Sequence, residues 1–287
     1  MFTHNPITPT RLEVFIELVW EMRQRKLDRD AIKKLLQPRG LPGLSLTSKQ
    51  AFDVLNAIKE LDLVVEDNEG SYRPNWKSRK VFHAKSILLT AIDEKVLSST
   101  TVEPWFARFF SYIITKENDV APSGSEWENK WSISFNNDLY GGPPSDNPFN
   151  TTKYIGLRRW LRYAGLGWHD ANDSFIPNPY ERVQRQLADI FERKNKLSSD
   201  EFMNKLALQC PELDGGVIFK EVNKDINMAR VCTRALATAL RDLHDDGVIK
   251  LNCPKDSRGW DLSRAGTIYN PLEDLYGDKF DYIELVH

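Results

Sequence analysis

Lys153, Arg158, Arg159 and Arg162 fall in and just beyond Thr151–Leu161, a stretch without a single acidic residue. Guanidinium groups at this density suit one chemistry above others, bidentate hydrogen bonding to phosphates or to the acceptor edge of guanine. Tyr154, Leu157, Leu161 and Ala164 recur at helical spacing, which predicts a helix with these four in the core and the arginines on its outer face. That helix reads as a DNA-binding element. The competing reading is a solvated face that pairs with acids from a neighbouring part of the chain.

Two other basic groups invite the same chemistry. Arg230, Arg234 and Arg241 are spaced by four and then seven residues, predicting a second basic stripe, although Asp242, Asp245 and Asp246 follow directly and offset its field. Arg73, Lys77, Arg79 and Lys80 gather near the end of the first third of the chain. Arg230, Arg234, Arg73, Lys77, Arg79 and Lys80, with the four on the middle helix, are the candidate DNA contacts.

Enzymatic chemistry is not indicated. The sequence has no Gly-rich phosphate loop ending in Lys-Ser/Thr, no GxGxxG, no GxSxG and no HExxH. Cys210, Cys232, His244 and Cys253 lack the CxxC spacing of a zinc site, so buried structural thiols are expected and no metal or cofactor is. Glu212, Asp214 and Glu221 lie close together, but Phe219-Lys220-Glu221 has the wrong order for a metal-dependent nuclease core. An enzyme would require acids of the 121–150 insert and of the C-terminal third to converge in the fold.

The elements that must position these residues follow a repeated plan. Thr8-Pro9 starts a helix, a second begins at Asp28, and Thr47 caps a third whose buried face is Ala51, Val54, Leu55, Ile58 and Leu61. Leu63-Val64-Val65, a polar tip at Asp67–Gly70 and a return through Tyr72 then predict a β-hairpin. A helix running into a hairpin is predicted again over Leu157–Ile176 and over Ala235–Leu262. The fold class is therefore mainly α with small β-hairpins, arranged as tandem winged-helix-like modules over residues 1–80, 81–178 and 179–287. The middle one carries the insert Ala121–Asn150, rich in Gly, Pro, Ser and Asn, which predicts a long functional or mobile connection. Trp127 and Trp131 lie within it as candidate stacking residues. Trp105, Phe106, Phe109, Phe110 and Tyr112 read as core or interface.

Composition sets the frame. The 287 residues carry 39 Lys and Arg against 41 Asp and Glu, so no global field draws the molecule onto nucleic acid. Only residues 1–80 are net positive, with 14 basic against 11 acidic residues. No apolar run is long enough for a membrane span, the N-terminus lacks a secretory pattern, and three widely spaced cysteines suit a reducing compartment. The expectation is a cytoplasmic protein without membrane contact.

Several strings resemble a known family. Asn150-Thr151-Thr152, Trp160–Gly167, Pro177-Asn178-Pro179, Phe202-x-x-x-Leu206, Pro211-x-Leu213-Asp214-Gly215-Gly216 and the helix Arg234–Gly247 with its following strand are similar to DpdG. That family belongs to the bacterial Dpd system, which installs 7-deazaguanine derivatives in DNA and restricts unmodified DNA. The resemblance covers about half of the chain and transfers no catalytic residue. It implies a non-enzymatic component of antiviral defence, working beside modification and restriction enzymes. Double-stranded DNA and other proteins of the system are the expected partners. The alternative function is a protein–protein scaffold that does not touch DNA.

Overall fold

The computed structural model describes residues 7–25, 27–37, 49–76, 83–100, 104–116, 125–143, 148–224, 229–253, 258–265 and 278–286, with only the backbone of 104 and 125–129. It is mostly helical with small antiparallel strand pairs, and its helix-then-hairpin units fit winged-helix-like modules.

The first unit holds α1 (Pro9–Glu21), α2 (Arg29–Leu36), α3 (Lys49–Glu60), β1 (Val64–Glu66) and β2 (Tyr72–Pro74). Thr8 caps α1 by accepting from the Arg11 amide, and Asp28 caps α2 by accepting from Ala31. The expected cap of α3, Thr47, lies outside the described residues. Leu12, Phe15, Ile16 and Val19 of α1 are buried with Val54, Leu55 and Ile58 of α3 in the core.

The second unit holds α4 (Ala84–Lys95), α5 (Pro104–Ile113), α6 (Ser125–Tyr140), α7 (Thr151–Tyr163), β3 (Gly167–His169) and β4 (Phe175–Pro177). The insert is thus not an irregular connection, because α6 occupies its middle. Trp131 and Phe135 of α6 are buried, and Phe149 stacks on Phe109 with ring centroids 4.8 Å apart. Trp131 meets Tyr112 edge-on at 5.9 Å, so it belongs to this aromatic core and is not available to stack on a base. The Trp127 side chain lies outside the described residues.

The third unit holds α8 (Tyr180–Phe191), β5 (Lys196–Ser198), α9 (Ser199–Gln209), α10 (Val217–Val222), α11 (Arg234–Asp245), β6 (Ile249–Asn252), β7 (Trp260–Asp261), β8 (Lys279–Phe280) and β9 (Tyr282–Leu285). Here the expected hairpin over Val248–Leu262 does not form. β6 pairs with β9, which pairs with β5 on its other edge, and β7 pairs with β8. In register, Leu197, Ile283 and Leu251 line up across three strands and are all buried. That apolar row rewards the distant strand over the sequence-adjacent one.

Candidate functional site

The last helices of the second and third units face one another. Ile155, Arg158, Arg159 and Arg162, one face of α7, line a cleft of about 1100 Å³ whose other lining residues include Glu181, Asp242, Asp245 and Asp246. Tyr154, Leu157, Leu161 and Ala164 are buried on the opposite side of α7, as their spacing requires. Asn150 sets where α7 starts by accepting a hydrogen bond from the Lys153 amide at 3.0 Å.

The four basic residues of α7 have different fates. Arg158 is buried, with 8% exposure, and its Nη2 lies 2.8 Å from the Asp173 carboxylate and also donates to the Asp173 carbonyl. The expectation that it points outward is therefore corrected. Position 158 lies four residues after Tyr154 and three before Leu161, at the edge between the apolar face and the cleft-lining face. The Arg158 hydrogen bond holds the Asp173 carboxyl below its usual range. Lys153 donates to the Pro148 carbonyl and sits 5.1 Å over the Trp105 ring. Arg159 and Arg162 are exposed, and among the described residues neither makes an ion pair. His169, at the end of β3, also lines the cleft. Burial, then the Arg158 charge, pushes its imidazole down, which keeps it neutral near pH 7.

The second basic stripe does not exist. Helix α11 begins at Arg234, and Arg230 precedes it in a left-handed turn (φ 56°), bonded to Asp200 and the Arg258 carbonyl. Arg241 is buried and paired with Asp278 at 2.5 Å. Arg234 is exposed at the start of the helix. What α11 presents to the cleft is acid. Asp242 accepts from Asn178 Nδ2 and Asp246 from the Tyr180 hydroxyl, each at 2.7 Å. In the first unit, Arg73 lies 3.2 Å from Asp67, and Lys77, Arg79 and Lys80 fall outside the described residues. Sequence reasoning noticed the aspartates that follow Arg241, but no spacing rule brings them opposite α7. Lys85, Trp168 and Glu181 are further lining residues that carried no sequence signal.

The Pro211–Gly216 turn joins the second and third units. Glu212 is fully buried and accepts from Arg182 Nε at 3.0 Å, while Arg182 Nη1 lies 3.5 Å from Asp93 of α4. Asp93 also takes Arg185 at 2.9 Å, and the Glu212 carbonyl accepts from Ser111 of α5. Asp214 accepts from both the amide and the hydroxyl of Thr233, the residue that caps α11. Burial pushes the Asp214 carboxyl up to about 6. Gly215 has φ 79°, a left-handed backbone that favours glycine, but Gly216 does not need a positive φ. It is glycine because a Cβ there would sit 2.3 Å from the Pro211 carbonyl oxygen. Glu221 pairs with Arg108, so these acids are structural partners here. Cys210, Cys232 and Cys253 are buried free thiols, and among the described residues no three His, Cys, Asp or Glu side chains are grouped to hold a metal.

No described helix is long and apolar enough to cross a membrane. The model of the DpdG-like family matches residues 2–257 of the 287, so the chain belongs to that family. Neither a curated protein nor a solved structure matches it.

Proposed function

We propose that this member of the DpdG-like family is a non-enzymatic, partner-binding component of the Dpd DNA modification and restriction machinery. One observation carries the choice of partner over duplex: the free arginines of α7 share their cleft with Glu181, Asp242, Asp245 and Asp246. A duplex laid on α7 would bring phosphates toward four carboxylates within the same cleft, where screening is incomplete over about 8 Å at physiological salt. Proteins tolerate such mixed surfaces, because a partner can match both signs. The test is co-purification of the chain with the other Dpd proteins, alongside titration into labelled duplex at two salt concentrations. Co-purification with weak, salt-insensitive duplex affinity supports the reading.

A second reading, direct DNA binding in the cytoplasm, draws on Arg159, Arg162 and Arg234, exposed cations that make no ion pair among the described residues. On this reading the duplex affinity falls steeply with salt, with a log–log slope of about −0.9 for each phosphate contacted.

A further inference from the structure

The cleft between α7 and the C-terminal end of α11 has an unusual electrostatic arrangement. Arg159 and Arg162 line it together with Glu181 and Asp245, yet none of these four makes an ion pair among the described residues. The bonds formed around the cleft engage other groups: Arg158 with Asp173, Asn178 with Asp242 and Tyr180 with Asp246. At about 1100 Å³ the space exceeds the roughly 300–1,000 Å³ of ordinary small-molecule pockets. Trp168 lines the cleft with 46% of its surface exposed, a residue type enriched at the centres of protein interfaces.

From this charge complementarity we infer that the cleft docks a segment of a partner protein that carries acidic and basic side chains together. The segment's carboxylates meet Arg159 and Arg162, its amines meet Glu181 and Asp245, and an apolar side chain covers Trp168. A single-stranded nucleic acid satisfies only the α7 wall and is repelled by the other. The inference rests on the partner-binding reading above and assigns that reading its site.

A photo-crosslinking amino acid in place of Trp168, in the full chain co-expressed with the other Dpd proteins, tests it. The same replacement at Leu208, 80% exposed and away from this cleft, is the control. The expected result is a crosslink from position 168 to one Dpd protein, with mass spectrometry placing it in a segment that bears both signs of charge. Arg159→Glu with Arg162→Glu should lower its yield by about tenfold or more, and Asp245→Lys should do so independently. All three positions are exposed, so both variants should keep the wild-type unfolding temperature, and the milder Arg162→Gln should give an intermediate yield. A crosslink insensitive to either reversal, or one to a segment of single-sign charge, to a second copy of this chain or to an added oligodeoxythymidine, overturns the inference. If co-purification persists but no crosslink forms from position 168, the cleft is not the dock although the partner-binding reading survives. If the wild-type chain co-purifies with no Dpd protein, that reading fails first.

Discussion

The hairpins of the first and second units are the same structure built twice, and the backbone bonds that join hairpin to helix end and close its tip recur 103 residues later. Leu63 bonds back to Ile58 as Leu166 does to Leu161, Gly70 to Asp67 as Asp173 to Asp170, and Asn75 to Leu63 as Asn178 to Leu166. The tip carboxylates of Asp67 and Asp170 each accept two amides at matching positions. What differs is the side chains laid on this frame. Where the first unit buries Leu55, the second buries Arg158, and where the first has Gly70 at the tip, the second has Asp173 to receive the arginine. Lys59 is neutralised by Glu66 at 2.8 Å, whereas the matching Arg162 faces His169, which carries no charge to offer. One frame therefore yields a self-satisfied surface in the first unit and a free cation in the second. The exchange of Glu66 for His169 is what exposes the charge.

The strongest way to break this equivalence is Leu55→Arg. It buries a cation opposite Gly70, with no acid to receive it, and should cost about 3–5 kcal/mol in denaturant unfolding. Adding Gly70→Asp should return a measurable part of that loss, because aspartate tolerates the left-handed backbone there. If the second substitution restores nothing, the correspondence is one of backbone alone.

Gly165→Asp comes next. Its counterpart Asp62 holds a similar backbone (φ 57° against 72°), but a Cβ at 165 would meet Glu181 Cβ at 2.5 Å. A loss of about 3 kcal/mol is expected, against about 1 kcal/mol or less for Asp62→Gly. In the third unit, Gly216→Val should likewise destabilise more than Gly215→Val. The former drives a side chain into the Pro211 carbonyl, and the latter only strains φ. Thermal unfolding that ranks either pair the other way removes the packing argument.

Arg158→Leu sharpens the comparison with a smaller effect. If the frame is interchangeable, leucine should be tolerated within about 1 kcal/mol, while Arg158→Ala leaves a cavity costing about 2 kcal/mol. The smallest change in stability belongs to His169→Glu, which recreates the first unit's ion pair for a few tenths of a kcal/mol, as surface pairs do. Its functional effect should be larger, lowering partner co-purification much as Arg162→Glu does. His169 also predicts a pH signature. Its folded-state pKa is depressed, so the unfolded chain binds the proton more readily, and stability should fall as pH drops below the ordinary imidazole value of about 6.5. His169→Gln should flatten that slope. His244, depressed by burial in the same way, adds to the slope, and Asp214, pushed up to about 6, opposes it as the pH falls.

The first two hairpins were legible because everything they need is local: a helix end, a short apolar strand, an Asp-led tip and an aromatic return. The third was not, because its pairing strand Tyr282–Leu285 arrives 30 residues after β6 ends, and no turn rule points to it. Helix α6 was hidden by the Gly and Pro residues that flank it. The buried positions of Arg158 and Arg241 were obscured by their charge. Helical spacing sets both among outward-facing basic residues, and only the fold supplies Asp173 and Asp278 to accept them. Of the candidate site, the basic face of α7 could be read from the sequence. Its acidic counterwall depends on how two units pack and could not.

The ion-pair group of Asp93, Arg182, Arg185 and Glu212 has a consequence for the order of events on the ribosome. Asp93 is synthesised 119 residues before Glu212, the last of the four charges. At about 5–20 residues per second, α4 waits on the order of ten seconds for the chemistry that completes its environment. For most of that interval the nascent middle unit carries the Asp93 carboxylate without Arg182 and Arg185, its partners in the folded chain. Glu212, in the Pro211–Gly216 turn, is the last of these charges to emerge, so a chain stalled between the two units lacks the acid that completes the group.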